Sequence, residues 1–322
     1  MHTADRVELA RLPSGVPIET TVHTYGDRSD DGPTLYVQAA QHGQEINGTE
    51  VLRRFHERAT TGSIGPIEGT VIAVPVADPL TFDRISYTTP EPIDSLNSNM
   101  NRSWPGDPEG TIHERMAARL WEYAREADAI VDLHTGSQNT HLHTVYMRGD
   151  DDSRRLAEAF GTELLLAESA GEDADTEWTK RNFAGKLRVA ATREDIPSIT
   201  PELEHNKQLV ESAIEAGVDG LVNALRHCDQ LPGDPEPWSG IRARNHLGRV
   251  RAADSGLFVP TDATLGEAVE EGDAFGTLYD PTRYEPLQTV QADRDGILYS
   301  IAREATVTAG ETLIGVAERL TE

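Results

Sequence analysis

Thr34-Leu35-Tyr36-Val37-Gln38-Ala39-Ala40-Gln41-His42-Gly43-Gln44-Glu45 is an apolar run that ends in a histidine, a glycine and a glutamate. Its length and near-continuous apolarity predict a strand buried on both faces. Directly after it, Glu45 to Ala59 carries Val51, Leu52 and Phe55 at helical spacing among charged residues, which predicts a helix. A buried strand feeding an amphipathic helix is the unit of an α/β sheet with helices on both faces. Ligands of such sheets bind beyond the carboxyl ends of the strands, where His42 and Glu45 lie.

The same texture continues outward from this stretch. Thr70 to Val76, Ala129 to His134, Thr144 to Arg148 and Ile196 to Leu203 predict further strands, the last introduced by Pro197. Ile112 to Ala127 predicts a helix with Ile112, Met116, Leu120 and Ala124 on one face, and Leu209 to His227 a closing helix. Asp78 to Gly110 is a long segment rich in Pro, Asn, Ser and Asp, of the kind that usually serves function in compact domains. Leu231-Pro-Gly-Asp-Pro-Glu-Pro-Trp238 cannot continue a helix and predicts a linker.

Past the linker the runs become short: Gly248 to Ala252, Gly256 to Val259, Ala274 to Tyr279, Thr289 to Ala292, Gly296 to Ile301 and Thr312 to Ala317. Gly and Asp turns between them predict an all-β module. Gly266 to Gly272 and Val307 to Thr312 resemble each other, which suggests an internally duplicated sandwich. A chain of 322 residues is expected to divide into a catalytic domain, 1–231, and a small module, 240–322.

Composition narrows the function classes. The formal net charge of −26 repels phosphate backbones and anionic membrane surfaces, so neither nucleic acid nor membrane is an expected partner. Lys180, Lys186 and Lys207 are the only lysines, and the acidic residues are spread along the whole chain. This pattern resembles proteins of salt-loving archaea. Asp5, Arg6 and Glu8 stand where a signal peptide needs an apolar run, and no stretch approaches the roughly 20 apolar residues of a membrane span. A cytoplasmic location is expected. Cys228 stands alone, so neither an intramolecular disulfide nor a multi-thiolate metal site can form. Homo-oligomer formation stays open.

Imidazole and carboxylate are ligand types of catalytic zinc, and the spacing of His42 and Glu45 lets both reach one point. A helix-capping His beside a surface Glu reads the same way, so this pair does not decide alone. Asp132-Leu133-His134-Thr135-Gly136 offers a third ligand at another strand end, with Asp132 able to orient it. A core histidine satisfied by backbone is the alternative there. Asn101 and Arg102, in Asn99 to Gly106, are adjacent donors suited to capturing a carboxylate, or a structural pair in an acidic protein. Glu202, in Ile199 to Glu204, is a candidate general base, or one surface Glu among many. His113, His141 and His143 read as structural or solvated.

In this order, His-Gly-x-Glu, Asn-Arg-x-x-Pro-Gly, Asp-Leu-His-Thr-Gly and Ile-Thr-x-Glu resemble the succinylglutamate desuccinylase and aspartoacylase family, relatives of the zinc carboxypeptidases. The resemblance implies a three-layer α/β/α catalytic domain with a mixed sheet. It implies one zinc ion on His42, Glu45 and His134, and Glu202 as the group activating water. Asn101 and Arg102 would hold a substrate carboxylate, and an upstream arginine, nearest Arg84, would polarise the scissile carbonyl. The implied substrate is a small N-acyl amino acid. Glu204 departs from the pattern, which usually has Gly there. The C-terminal module resembles a biotinyl or lipoyl carrier fold, yet no lysine follows Lys207 to carry either group. Rival readings are a carboxypeptidase acting on peptides and a non-catalytic metal-containing ligand-binding protein.

Overall fold

The computed structural model describes residues 1–26, 32–136, 139–170, 176–245, 249–303 and 306–320. Its strands are β1 His2–Arg11, β2 Pro17–Gly26, β3 Thr34–Ala39, β4 Thr70–Val74, β5 Ala129–Leu133, β6 His143–Met147, β7 Leu164–Glu168 and β8 Ser198–Glu202. Beyond the linker follow β9 Ile241–Asn245, β10 Val250–Arg251, β11 Gly256–Pro260, β12 Ala268–Val269, β13 Ala274–Tyr279, β14 Pro286–Gln291, β15 Gly296–Ile301, β16 Thr306–Val307 and β17 Thr312–Arg319. The helices are α1 Asn47–Thr61, α2 Pro79–Phe82, α3 Ile112–Ala124, α4 Asp151–Phe160, α5 Thr176–Lys180, α6 Leu187–Arg193 and α7 Glu211–His227.

Strands β4, β3, β5 and β8 run parallel at the centre of a mixed sheet, and every residue of β3 after Thr34 and all of β4 and β5 are buried. That double burial is why they read as unbroken apolar runs. Helices α1, α4 and α7 cover one face through Val51, Leu52, Phe55, Leu156, Phe160, Ile214, Val218 and Leu221. On the other face lie α3 and α6, through Met116, Leu120, Leu187 and Ala190. The expected three-layer α/β/α arrangement is present. Thr111 and Glu114 form a capping box at the start of α3, and Gly62, at φ 76°, closes α1 in the left-handed conformation.

Several elements did not come from the sequence reading, among them β1, β2, β7, β9, α2, α4, α5 and α6. β1 and β2 form an antiparallel hairpin that pairs through β2 with β4 and extends the sheet edge. β7 and α4 sit between β6 and β8 in the chain, and β6 runs antiparallel to β8. The central sheet also continues past the linker, in the order β7, β9, β17, β15 and β12. Val145, Leu164, Leu166, Ala243, Ile297, Tyr299 and Ala317 form one apolar cluster across that continuation.

In the C-terminal part, the two resembling segments sit in matching places. A two-residue strand follows β11 and another follows β15; β12 pairs with β15, while β16 pairs with β11. Each half therefore lends its shortest strand to the other half's sheet. Gly248, first residue of one expected run, lies outside the described residues.

Surface acids are matched locally by arginine pairs such as Arg53 with Glu50, Arg54 with Glu211 and Arg58 with Asp219. Exposed pairs contribute little each, and the 55 acidic residues outnumber the 29 Lys and Arg, which leaves a net charge of −26. Salt should therefore stabilise the fold by screening. The expected result is a melting temperature that rises between about 0.1 M and about 2 M KCl; scanning calorimetry showing no change would contradict it.

Candidate functional site

The chain leaves β3 through Ala40, whose φ of 52° lies in the left-handed region and turns Gln41 and His42 away from the strand direction. Gly43 follows because the backbone passes close to α2: a Cβ there would stand 1.9 Å from the carbonyl oxygen of Thr81. Only glycine fits that approach. Glu45 comes next, just before α1, with its carboxylate buried.

From β5 the chain delivers His134 to the same point. Nδ1 of His42 lies 2.8 Å from Oε1 of Glu45, and Nδ1 of His134 lies 2.8 Å from Oε2. The other ring nitrogens face fixed partners: Nε2 of His134 lies 3.0 Å from Oδ2 of Asp132, and Nε2 of His42 lies 3.2 Å from Oδ1 of Asn99. Asp132 is itself held by amide donors from Gln38 at 3.0 Å and Gln41 at 2.7 Å, and Gln41 accepts from the Trp104 indole at 2.7 Å. Carboxylate and amide partners of this kind fix the orientation of metal-binding imidazoles.

The electrostatics favour positive charge beside Glu45. Burial opposes charge on His134, but Asp132 and Glu45 raise its pKa well above the ordinary imidazole value. Burial likewise opposes ionisation of Glu45, and the two histidines bring it down to about 2. Either a proton or a metal ion must sit between each imidazole and the carboxylate. Ligand atoms of His42, Glu45 and His134 all lie within 4.8 Å of one another, so the three can hold a metal ion.

Glu202 ends β8, bridged to His134, and its segment is locked in place by backbone bonds from His134 to Pro201 at 2.9 Å and from Leu203 to His134 at 2.8 Å. Asn47 then ties the following turn, donating to the carbonyls of Leu203 and His205. Burial pushes the Glu202 carboxyl up to about 7, against the pull of His134. Glu204 does not share its face, because the strand stops at Glu202 and Glu204 takes φ 55°. That left-handed conformation is one glycine adopts without strain.

These groups open onto a cavity of about 390 Å³ lined by His42, Glu45, His134, Glu202, Asn101 and Arg102 among others. Asn101 is buried, with its amide 3.3 Å from Nε2 of His134. Arg102 donates to the carbonyl of Arg181 at 2.7 Å and lies over the Phe183 ring. Arg84 is exposed on the turn after α2 and is not part of the lining. Tyr87, three residues on, stacks on His42 with ring centroids 3.9 Å apart. Desolvation, then Glu45, pushes its hydroxyl up to about 12, which keeps it a hydrogen-bond donor.

Deeper in, Glu168 accepts from Lys186 at 3.3 Å, from Arg188, and from Asn245 at 3.0 Å. Burial lowers Lys186 to about 7. Asn245, Arg249 and Tyr299 belong to the chain beyond the linker and line the same cavity. Sequence reasoning missed this cluster; its one signal was Lys186, a rare lysine in an arginine-rich chain. Ten buried side-chain polar atoms lack a hydrogen-bond partner among the described residues, and five of them belong to cavity residues: Thr135, Arg188, Asn206, Asn245 and Tyr299. Such atoms are costly unless something polar meets them, so the cavity is built for a polar ligand. His113 is structural, buried between Asp78 and Asp94. His143 lines the cavity, and burial holds it down to about 4.

Residues 31–228 match the succinylglutamate desuccinylase/aspartoacylase catalytic domain. The chain belongs to this family. Its curated relatives include N-alpha-acetyl-L-2,4-diaminobutyric acid deacetylase of Halomonas elongata, 27% identical over 304 residues, covering 89% of this chain and 83% of that one. A succinylglutamate desuccinylase/aspartoacylase structure from Rhodobacter sphaeroides superposes with a TM-score of 0.82 at 23% identity, covering 99% and 96% of the two chains. The product-bound ectoine utilization protein EutE from Ruegeria pomeroyi gives 0.79 at 22%, covering 98% and 94%. A metallo-carboxypeptidase from Burkholderia cenocepacia shares the fold more distantly, with a TM-score of 0.53 at 17% identity over 70% of this chain and 65% of that one.

The glycine of His-Gly-x-Glu is thus explained by a backbone approach that any side chain would block. Gly43→Ala should shift α2 or the His42 loop, destabilising the fold by about 1–3 kcal/mol of overpacking cost, with a lower melting temperature and weaker divalent-metal binding. Unchanged melting and metal titration would show that the approach is not needed.

Proposed function

We propose that this chain is a zinc-dependent deacylase that hydrolyses the amide bond of a small N-acyl amino acid, with Glu202 as the general base. The observation that carries the reading is the meeting of His42, Glu45, His134 and Glu202 at one cavity, five of whose lining residues carry a buried polar atom without a hydrogen-bond partner. Two histidines and a glutamate are a donor set of catalytic zinc, which keeps a further position open. Zinc held there would act as a Lewis acid toward a water molecule and the amide carbonyl.

The chain's own groups account for the remaining chemistry. Glu202 takes a proton from the attacking water as its oxygen bonds to the acyl carbon. The same carboxyl then gives that proton to the amine nitrogen as the C–N bond breaks, releasing a carboxylic acid and an amine. Asn101 and Arg102 orient the substrate carboxylate by charge-assisted hydrogen bonds. The hydrogen bond to the scissile carbonyl we assign to Tyr87, which stacks on His42 and lines the cavity, rather than to Arg84, which does not line it.

A cavity of about 390 Å³ suits a metabolite better than a peptide chain. Its inner end offers an unpaired donor on Arg188 and an unpaired acceptor on Asn245, so the substrate should carry polar groups of both kinds. The N-acetylated diaminobutyrate of the Halomonas relative fits that description and is the first compound to try. We assign 1–231 as the catalytic domain and 240–322 as a β-sandwich module of carrier-like fold, which supplies cavity wall rather than an attachment lysine.

Zinc-loaded protein should release free amino acid from an N-acyl amino acid panel and leave C-terminal peptide bonds intact. Glu202→Gln should retain its zinc and lose turnover by about 10² to 10⁴. Glu204→Gln should keep near-wild-type turnover. A Glu202→Gln enzyme with full activity would remove Glu202 from the mechanism, and cleavage of peptides alone would point to a carboxypeptidase.

A further inference from the structure

A second cluster of imidazoles lies away from the cavity. His2 on β1, His23 on β2 and His56 on α1 bring ligand nitrogens within 4.8 Å of one another. The strand register explains the first two: His2 pairs with Tyr25 and Ala4 with His23, so both histidines stand on one face of the hairpin, diagonal to each other. Nε2 of His2 lies 3.1 Å from Nδ1 of His23. His56 reaches them from the helix above, its ring centroid 4.8 Å from that of His2 and 5.7 Å from that of His23.

We propose that His2, His23 and His56 form a second metal site, for a divalent transition ion such as zinc. All three rings are half-buried, so the site is reachable from solvent yet partly shielded. The Tyr25 hydroxyl lies 2.9 Å from Nδ1 of His56 and fixes that ring, as outer partners fix metal-binding imidazoles elsewhere. Beside the rings is a hollow of about 270 Å³ lined by His23, Tyr25, His56, Glu50 and Arg53. Glu50 is already paired with Arg53 and Arg54, so the donor set is imidazole only. Three histidines with room for water suit zinc, copper or nickel and exclude magnesium and calcium, which take oxygen ligands.

The three ligands come from three elements at the sheet edge. A bound ion therefore cross-links the first strand of the chain to β2 and to α1, which makes the site structural. No step of the deacylation passes through it.

The test is zinc stoichiometry of chelator-stripped protein, reloaded with Zn²⁺ and passed through gel filtration. Wild type should retain two equivalents, His56→Ala and His23→Gln one each, and His42→Ala one. His56→Ala should keep wild-type deacylase turnover while losing the rise in melting temperature that the second equivalent gives. One equivalent in wild type, lost in His42→Ala, would overturn the proposal and leave the deacylase reading standing. Two equivalents retained in both His56→Ala and His23→Gln would overturn it as well. One equivalent lost only in the His56 and His23 variants would uphold this site and remove the active-site zinc.

Discussion

Glu45 places one buried carboxylate against two buried imidazoles, with 2.8 Å from each oxygen to a ring nitrogen. Each ring nitrogen that faces the ionised carboxylate at this distance carries a proton or a metal ion, because an unpaired charge is very costly in so buried a place. Much of the neighbouring structure serves to keep these groups in position. Ala40 in the left-handed region and Gly43 against Thr81 deliver His42 and Glu45 from the end of β3. Asp132, held by Gln38 and Gln41, fixes the far side of His134. The parallel centre of the sheet makes this convergence natural, because β3, β5 and β8 all end on the same side.

A protein with a large acidic excess reserves several of its cations for one interior. Arg188 and Lys186 pair with Glu168, and Arg102 lines the same cavity. Glu45 and Glu202 line the same cavity. On the proposed reading, Glu202 takes the proton of the attacking water, and Asn101 and Arg102 hold the substrate's carboxylate. Part of this wall comes from beyond the linker, through Asn245, Arg249 and Tyr299, carried on strands that extend the catalytic sheet. The module's continuity with that sheet gives those residues a rigid mount, which loose tethering through Leu231 to Trp238 would not.

The central strands and the helices α1, α3 and α7 were legible because double burial and 3.6-residue periodicity write themselves directly into local sequence. The three histidine and glutamate ligand candidates were legible because they occur at strand ends in short motifs. Tertiary partners were not. Lys186 and Arg188 at the start of α6, Glu168 on β7 and Asn245 on β9 come from three elements far apart in the chain. Arg84 was chosen as the nearest upstream arginine, but the turn after α2 leaves it exposed and presents Tyr87 to His42 instead. Glu202 and Glu204 were inseparable by strand period because the strand's end at Glu202 cannot be seen in the residues themselves. The β1–β2 hairpin escaped notice because β1 is mostly exposed and mixes charged with small residues.

The central claim concerns where the metal sits, and anomalous diffraction at the zinc edge from crystals of the zinc-loaded protein tests it most directly. The account predicts an anomalous peak among His42, Glu45 and His134, at about 2.0–2.2 Å from each ligand atom. With zinc bound elsewhere in the same crystal, density filled by protein hydrogen bonds alone at that point would contradict it.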